Sequence, residues 1–306
     1  MPQHCADVVI VGGGAAGLSA ALVLGRARRR VVVVDAGAPR NAPAAHMQGF
    51  LSRDGMPPAE LLEVGRREVA GYGVDLRAGA VTGIEPGFVV RLASGERYGA
   101  RRLLLTTGAS DDLPAIDGVR ERWGRDLLHC PYCHGWEVRD QALGVLGTHP
   151  GAVAHALLVR QWSDDVVFFA HDHLTTAEER AQLAARGIDV VEGQVTRLVV
   201  DDDRLTGVEL ADGTRVGREA VFVRPRNVPH PGGLLTQLGA DVDGDGFAVV
   251  DRDGRTSVPG VWAAGNLVDP RGSVISAAGA AAASAMAINA DLVQDDLRRA
   301  SADDPA

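Results

Sequence analysis

Val8-Val9-Ile10-Val11-Gly12-Gly13-Gly14-Ala15-Ala16-Gly17 is a β-branched run that breaks into G-x-G-x-x-G spacing. The run reads as a buried strand and the glycines as the turn that follows it. A helical pattern covers residues 19–24, and a second strand, residues 31–34, ends at Asp35. Strand, glycine turn, helix, strand and terminal acid together make the dinucleotide-binding βαβ fingerprint. Its glycines permit a tight turn and close backbone approach, its helix start faces a pyrophosphate, and its acid takes the ribose hydroxyls. A glycine-rich turn without a nucleotide is the plainer alternative.

Working outward, residues 35–41 read as a loop whose small residues let a cofactor lie close. Asn41 is there either to hydrogen-bond it or as an ordinary turn residue. Pro58 starts a charged amphipathic helix to about residue 70. Residues 81–84, 88–92 and Tyr98 read as a small antiparallel excursion turning at Ser94-Gly95. A buried strand at 103–105 closes at Thr106-Thr107-Gly108. The layout then repeats. Residues 142–146 are a strand, Gly147-Thr148-His149-Pro150-Gly151-Ala152 is its turn, a helix runs to about Trp162, and a strand at 166–169 ends in His171-Asp172-His173. In this copy His149 stands where the second glycine belongs, and Asp172 offers a like charge where an NADP site wants arginine. The copy is expected to keep the fold without its nucleotide. A shifted loop that uses Gly147 and Gly151 to bind NADH through Asp172 is the competing reading.

Between the copies lies Cys130-Pro131-Tyr132-Cys133-His134-Gly135, with two of the chain's 3 cysteines. As a redox pair, the first sulfur attacks and the second resolves, and a helix start plus an imidazole would lower a thiol pKa from about 8.5 toward neutrality. The same letters are a c-type haem attachment signature, half of a zinc site, or two buried thiols. No second C-x-x-C completes a four-ligand zinc site, so no metal is expected. Residues 241–246 mimic an EF-hand start, but Arg252 stands where the loop needs a glutamate, so a β-turn is expected.

The net charge of −9 implies no nucleic-acid footprint. All 31 basic residues are arginine, which excludes a Schiff-base or Walker lysine. Three cysteines do not make a secreted disulfide framework. The start of the chain does not read as a signal peptide, and apolar runs meet glycines or charges before about 18 residues, so no membrane span is expected and the cytoplasm is the default. Near the end, residues 258–266 form a strand closing at Gly265-Asn266. An alanine-rich helix follows from Val274 to about Arg299, and residues 300–306 are a polar tail.

The 12–17 loop, Thr106-Thr107-Gly108, a C-x-x-C opening an inserted domain and the closing 261–266 run together resemble the low-molecular-weight thioredoxin reductase family. The resemblance implies an α/β fold of two Rossmann-like three-layer nucleotide-binding folds, the second inserted into the first. Residues 1–112 plus 247–306 would be the FAD-binding domain and 113–246 the central domain with the cysteines, in a homodimer. It implies FAD contacts at Gly12, Gly14, Ala15, Ala16, Gly17, Asp35, Ala36, Arg40, Asn41, His46, Val81, Thr107, Gly108, Gly265, Asn266, Ser273 and Val274. It also implies that Cys133 faces the flavin and Cys130 meets the substrate.

The chain departs from the reductases at His149, in place of the second glycine of their central G-x-G-x-x-A, and at four further places. His134 replaces their Asp, His171-Asp172-His173 their H-R-R, Gly265-Asn266 their Gly-Asp, and Gly272-Ser273-Val274 their Arg-Gln-Ala. C-x-x-C-H-G with Pro39-Arg40-Asn41 upstream is similar to the dithiol oxidase branch, to which the gliotoxin and holomycin enzymes belong. The expected function is oxidation of a small natural-product dithiol, with Cys130, Cys133 and His134 catalytic, His134 the proton carrier, and dioxygen the acceptor giving hydrogen peroxide. Tyr132 and Trp136 would line an apolar pocket or be core. The alternatives are an NAD(P)H-dependent thioredoxin-type disulfide reductase and a flavin redox sensor without turnover.

Overall fold

A computed structural model of the chain describes residues 4–230 and 233–303. The N-terminal Met1-Pro2-Gln3, part of the stretch read as no signal peptide, lies outside them, as do the last three residues of the polar tail. The fingerprint forms strand β1 (His4–Val11), helix α1 (Ala15–Arg26) and strand β2 (Val31–Asp35), with Val8 opposite Val31 in parallel pairing. Val8, Val9 and Ile10 are fully buried, as expected of a parallel strand covered on both faces. Next come α2 (Pro58–Ala70), β3 (Asp75–Ala78), β4 (Val81–Glu85), β5 (Val89–Leu92) and β6 (Arg97–Leu105). Strand β6 pairs antiparallel with β5 over its first residues and parallel with β1 along most of its length.

A short strand, β7 (Ala109–Asp112), leads to α3 (Val119–Arg122), β8 (Leu127–Leu128) and the single turn α4 (Pro131–His134). The second βαβ pattern is β9 (Leu143–Leu146), α5 (Ala152–Val159) and β10 (Val166–Phe169). Then follow α6 (Ala177–Ala185), β11 (Asp189–Val191), the antiparallel set β12 (Val195–Asp201), β13 (Arg204–Leu210) and β14 (Arg215–Gly217), and β15 (Ala220–Val223). Strand β16 (Arg226–Pro229) pairs with β7. The chain closes with α7 (Leu234–Leu238), β17 (Val261–Ala263) and α8 (Val274–Asp303).

The chain folds as two compact units. Residues through Arg40, Pro58–Ser110 and those from Asn227 onward form one; Asn41–Pro57 and Asp111–Arg226 form the other. Residues 227–246, expected in the central segment, pack in the first unit because Leu234 and Leu235 are buried with Val90 and Leu103. Residues 41–57 group with the second unit, where Pro43 lies against Gly124.

The first unit's parallel strands run β3-β2-β1-β6-β17, with β5-β4 as the antiparallel extension. The second unit's wholly parallel sheet runs β11-β10-β9-β15-β8, the same pattern with its last edge strand drawn from earlier in the chain. Each sheet is covered by its own pair of apolar clusters, one on each face. These are two Rossmann-like folds, the second inserted into the first.

By length and composition alone, residues 274–302 of helix α8 reach membrane-spanning size. Its stripe Ala281, Ala285, Ile288 and Leu292 is fully buried against Leu18, Ala21 and Leu24 of α1. The spacing is that of one helix face. Burying Ile288 and Leu292 contributes about 1.5–3 kcal/mol each. Beyond the apolar run, Asp291, Asp295 and Asp296 pair with Arg102, Arg101 and Arg29. The helix runs past the expected end at Arg299 to Asp303. At 241–246, Asp243 Oδ1 accepts from the Asp245 and Phe247 N–H groups, an Asx-type turn closed by the Val242–Ala248 bridge.

Candidate functional site

In the first unit, the glycine turn divides its labour. A Cβ on Gly12 would overlap the Thr106 carbonyl oxygen, and one on Gly17 would overlap the Gly12 carbonyl oxygen. Those two are required for close packing of turn, helix and strand. A Cβ on Gly14 would meet nothing within 4 Å, so the start of α1 opens onto free space. Ala15 and Ala16 begin that helix.

Asp35, at the end of β2, accepts the Gly13 N–H through Oδ1 at 3.1 Å and pairs with Arg66 Nη2 through Oδ2 at 3.2 Å. The acid therefore holds the turn. Thr106 was not in the expected set, yet its hydroxyl donates toward Val11 O (3.1 Å) and Gly12 O (2.9 Å) and fixes the loop. Its place before Thr107-Gly108 was the only signal. Gly108, at φ +76°, accepts from the His230 N–H.

The closing run comes to the same unit. Gly265, at φ +73°, lies so close to α1 that a Cβ on it would stand 2.8 Å from the Ala16 Cβ. Asn266 Nδ2 donates to Asp269 O at 2.8 Å and to Gly272 O at 2.9 Å. An aspartate could not make either bond, so the Asn in place of the reductases' Asp staples the loop that leads into α8. Ser273 begins that helix, its carbonyl accepting from Ala277 N–H and its hydroxyl facing Ser276 Oγ at 3.2 Å, and Val274 follows. Arg40 Nη1 donates to Pro270 O at 2.5 Å and ties residues 35–40, Ala36 among them, to that loop. Val81 opens β4 and is packed against the second apolar cluster.

Asn41 and His46 are not in this unit; His46 Nδ1 contacts Gly55 O at 3.0 Å in the other. An open helix start, a glycine turn pinned by Asp35 and Thr106, and the start of α8 fit an FAD: donors for the pyrophosphate and room for its approach.

In the second unit, Cys130 lies two residues beyond edge strand β8 and is joined to Cys133 as a disulfide, Cα to Cα 5.2 Å. The Cys133 and His134 N–H groups both donate to Cys130 O at 3.1 Å. Helix α4 is a single turn, too short for the helix-start effect expected of the motif to be large. His134 is half-buried, and burial pulls its pKa below the ordinary value while Glu137 opposes this. Gly135 is structural: a Cβ there would stand 2.8 Å from Trp162. Tyr132 meets the Trp162 ring edge-on at 5.5 Å.

Tyr132 and Trp136 are neither core nor a closed pocket. They are 73% and 66% exposed, and Arg139 lies 4.1 Å from the centre of the Trp136 ring. One lies inside the C-x-x-C and the other three residues past it, so both are exposed aromatics on the segment that carries the disulfide. Cys5 is free and exposed in the first unit.

Sequence reasoning also missed His155, on α5. It is 8% exposed, its ring meets His129 at 6.3 Å and Phe222 at 6.0 Å, and its Nδ1 has no partner among the described residues. Burial, with His129, Arg224 and His149 nearby, pushes it down to about 4. Among the described residues, no group of three or more His, Cys, Asp or Glu is placed to hold a metal.

The family model for pyridine nucleotide-disulphide oxidoreductases matches residues 6–285. The solved structure of HlmI is 60% identical, covers 96% of this chain and 95% of that chain, and superposes with a TM-score of 0.94. The oxidoreductase from Agrobacterium tumefaciens is 36% identical, covering 96% of this chain and 99% of that one, with a TM-score of 0.89. Thioredoxin reductase tcpT of Claviceps purpurea is 30% identical across 86% of this chain and 87% of its own. Thioredoxin reductase sirT of Leptosphaeria maculans is 29% identical across 95% of each. With that match, and with the paired Rossmann-like units and the open turn at Gly14, the chain belongs to the pyridine nucleotide-disulphide oxidoreductase family and is a redox enzyme with FAD as its cofactor.

Proposed function

We propose that the protein is a dithiol oxidase, closing a disulfide in a small natural-product-type dithiol. The observation that carries the reading is the Cys130–Cys133 disulfide, followed in the chain by the half-buried His134 and flanked by the exposed Tyr132 and Trp136 within three residues of the pair. A substrate thiolate attacks Cys130 Sγ, and the Cys130–Cys133 bond breaks to leave a thiolate on Cys133. His134, neutral at pH 7, takes the proton of the second substrate thiol. That sulfur displaces Cys130 Sγ, so the product leaves oxidised by two electrons and the pair remains reduced. When bound at the Gly14 turn, FAD supplies the two-electron acceptor for the pair, with dioxygen as the final oxidant and hydrogen peroxide as its product.

The likeness to thioredoxin reductases by name favours a second reading, an NAD(P)H-driven disulfide reductase. Against it stands His149, whose Nδ1 accepts the Gly151 N–H at 3.0 Å at the place where a nucleotide needs that donor. By likeness to the thioredoxin reductases the enzyme works as a homodimer.

Anaerobic mixing separates the two readings. A small dithiol should bleach the flavin, and readmitted oxygen should return one peroxide per disulfide formed. Rapid bleaching by NADH or NADPH, with none by dithiols, would establish the reductase instead.

A further inference from the structure

The two nucleotide-type turns of this chain differ in which glycines they keep. In the first, Gly12 and Gly17 are required by packing and Gly14 faces open space. In the second, the packing positions survive: a Cβ on Gly147 would overlap the Ala170 carbonyl oxygen, and Ala152 is fully buried. The position lost is the middle one, now His149, whose glycine serves only the approach of the pyrophosphate.

Two side chains occupy that approach. His149 Nδ1 accepts the Gly151 N–H at 3.0 Å. Arg224 directly follows β15, the strand beside β9, so both strands deliver their next residues to the same sheet edge. There, a Cβ built on Gly151 would stand 2.6 Å from Arg224 Nη1 and 3.5 Å from His149 Nδ1. The acid after β10 is engaged too, since Asp172 Oδ2 pairs with His171 Nε2 at 3.1 Å.

We propose that His149 and Arg224 form a built-in plug that closes the pyrophosphate seat of the second unit, so that this unit rejects pyridine dinucleotides by filling their place with its own side chains. The inference deepens the oxidase reading and rests on it: an enzyme that draws electrons only from thiols gains from shutting out NADH and NADPH. A dinucleotide would have to break the Gly151–His149 hydrogen bond and displace the guanidinium before its phosphates reached the start of α5. The exclusion therefore resides in two side chains and not in a lost fold, because the turn and helix beneath them are intact.

The test is the FAD-loaded full chain carrying H149G and R224A, titrated with NADH and NADPH by calorimetry. Far-UV circular dichroism and retained flavin absorbance confirm that the variant is folded. Wild type should show no binding, and the double variant should bind NADH at least roughly tenfold more tightly. Its aerobic dithiol oxidation should be unchanged. Arg224→Met, which keeps the bulk and removes the charge, should leave the seat closed. A double variant as indifferent as wild type overturns the plug while leaving the oxidase reading intact, as does an opened seat in Arg224→Met. Wild-type binding that R224A abolishes also overturns it, making Arg224 a ligand residue. Flavin bleaching of wild type by NADH without any by dithiol is the separate result that removes the oxidase reading itself.

Discussion

His155 meets His129 edge-to-face, ring centres 6.3 Å apart, on the residue immediately before Cys130. The contact ties helix α5 to the strand end that carries the disulfide. Its cost is a buried imidazole that resists protonation, with a folded-state value of about 4. The unfolded chain takes up this proton near pH 6.5 and the folded chain does not. Stability should therefore be fully present above about 6.5 and be lost as pH falls toward 4, by about 3 kcal/mol in all. Denaturant unfolding at a series of pH values measures it. His155→Phe should flatten that segment of the profile; parallel profiles would remove His155 as the cause.

The cysteines should be separable from the cofactor. Cys130→Ser and Cys133→Ser each leave one sulfur, which cannot close the pair. Turnover should vanish while the flavin spectrum stays, because FAD is expected to be held in the other unit. Surviving peroxide production in either variant would make the motif structural.

His134 should set the acid limb of the rate profile. Its pKa is drawn below the ordinary imidazole value by burial, so a base at this position is neutral at pH 7 and protonates only in mild acid. The wild-type rate should fall with a midpoint below about 6.5. His134→Asn should lower kcat by roughly a hundredfold or more and abolish that limb. A full rate with an unchanged profile would assign the proton transfer elsewhere.

The first glycine turn should respond differently at its two kinds of position. Gly14→Val adds a side chain in open space, so the protein should fold normally but lose its yellow colour. Gly17→Ala sets a methyl against the Gly12 carbonyl, and should cost stability by about 1–3 kcal/mol or more. Thermal unfolding with flavin absorbance distinguishes the two; a yellow Gly14→Val would move the cofactor away from this turn.

The sequence alone determined the first βαβ unit, the repeated layout and the likeness of the whole chain to one family. The signals behind them are each local: hydrophobic period, glycine spacing and a terminal acid lie within about 30 residues in each βαβ unit, and the family likeness is a set of such short motifs. The spacing that lets Cys130 and Cys133 close a disulfide was equally legible, since both cysteines share one turn. Other features came only from the tertiary structure. Thr106 reaches back to Gly12, Asn266 staples carbonyls three and six residues on, residues 227–246 rejoin the first unit, and Tyr132 and Trp136 face solvent. Arg224 and His155 were silent in the sequence because neither sits in a motif. Parallel strands β9, β15 and β8 end at one edge, and this alignment gathers His149, Arg224 and His129 from positions up to 95 residues apart. Spacing along a chain does not encode which strands become neighbours; burial of both sheet faces does.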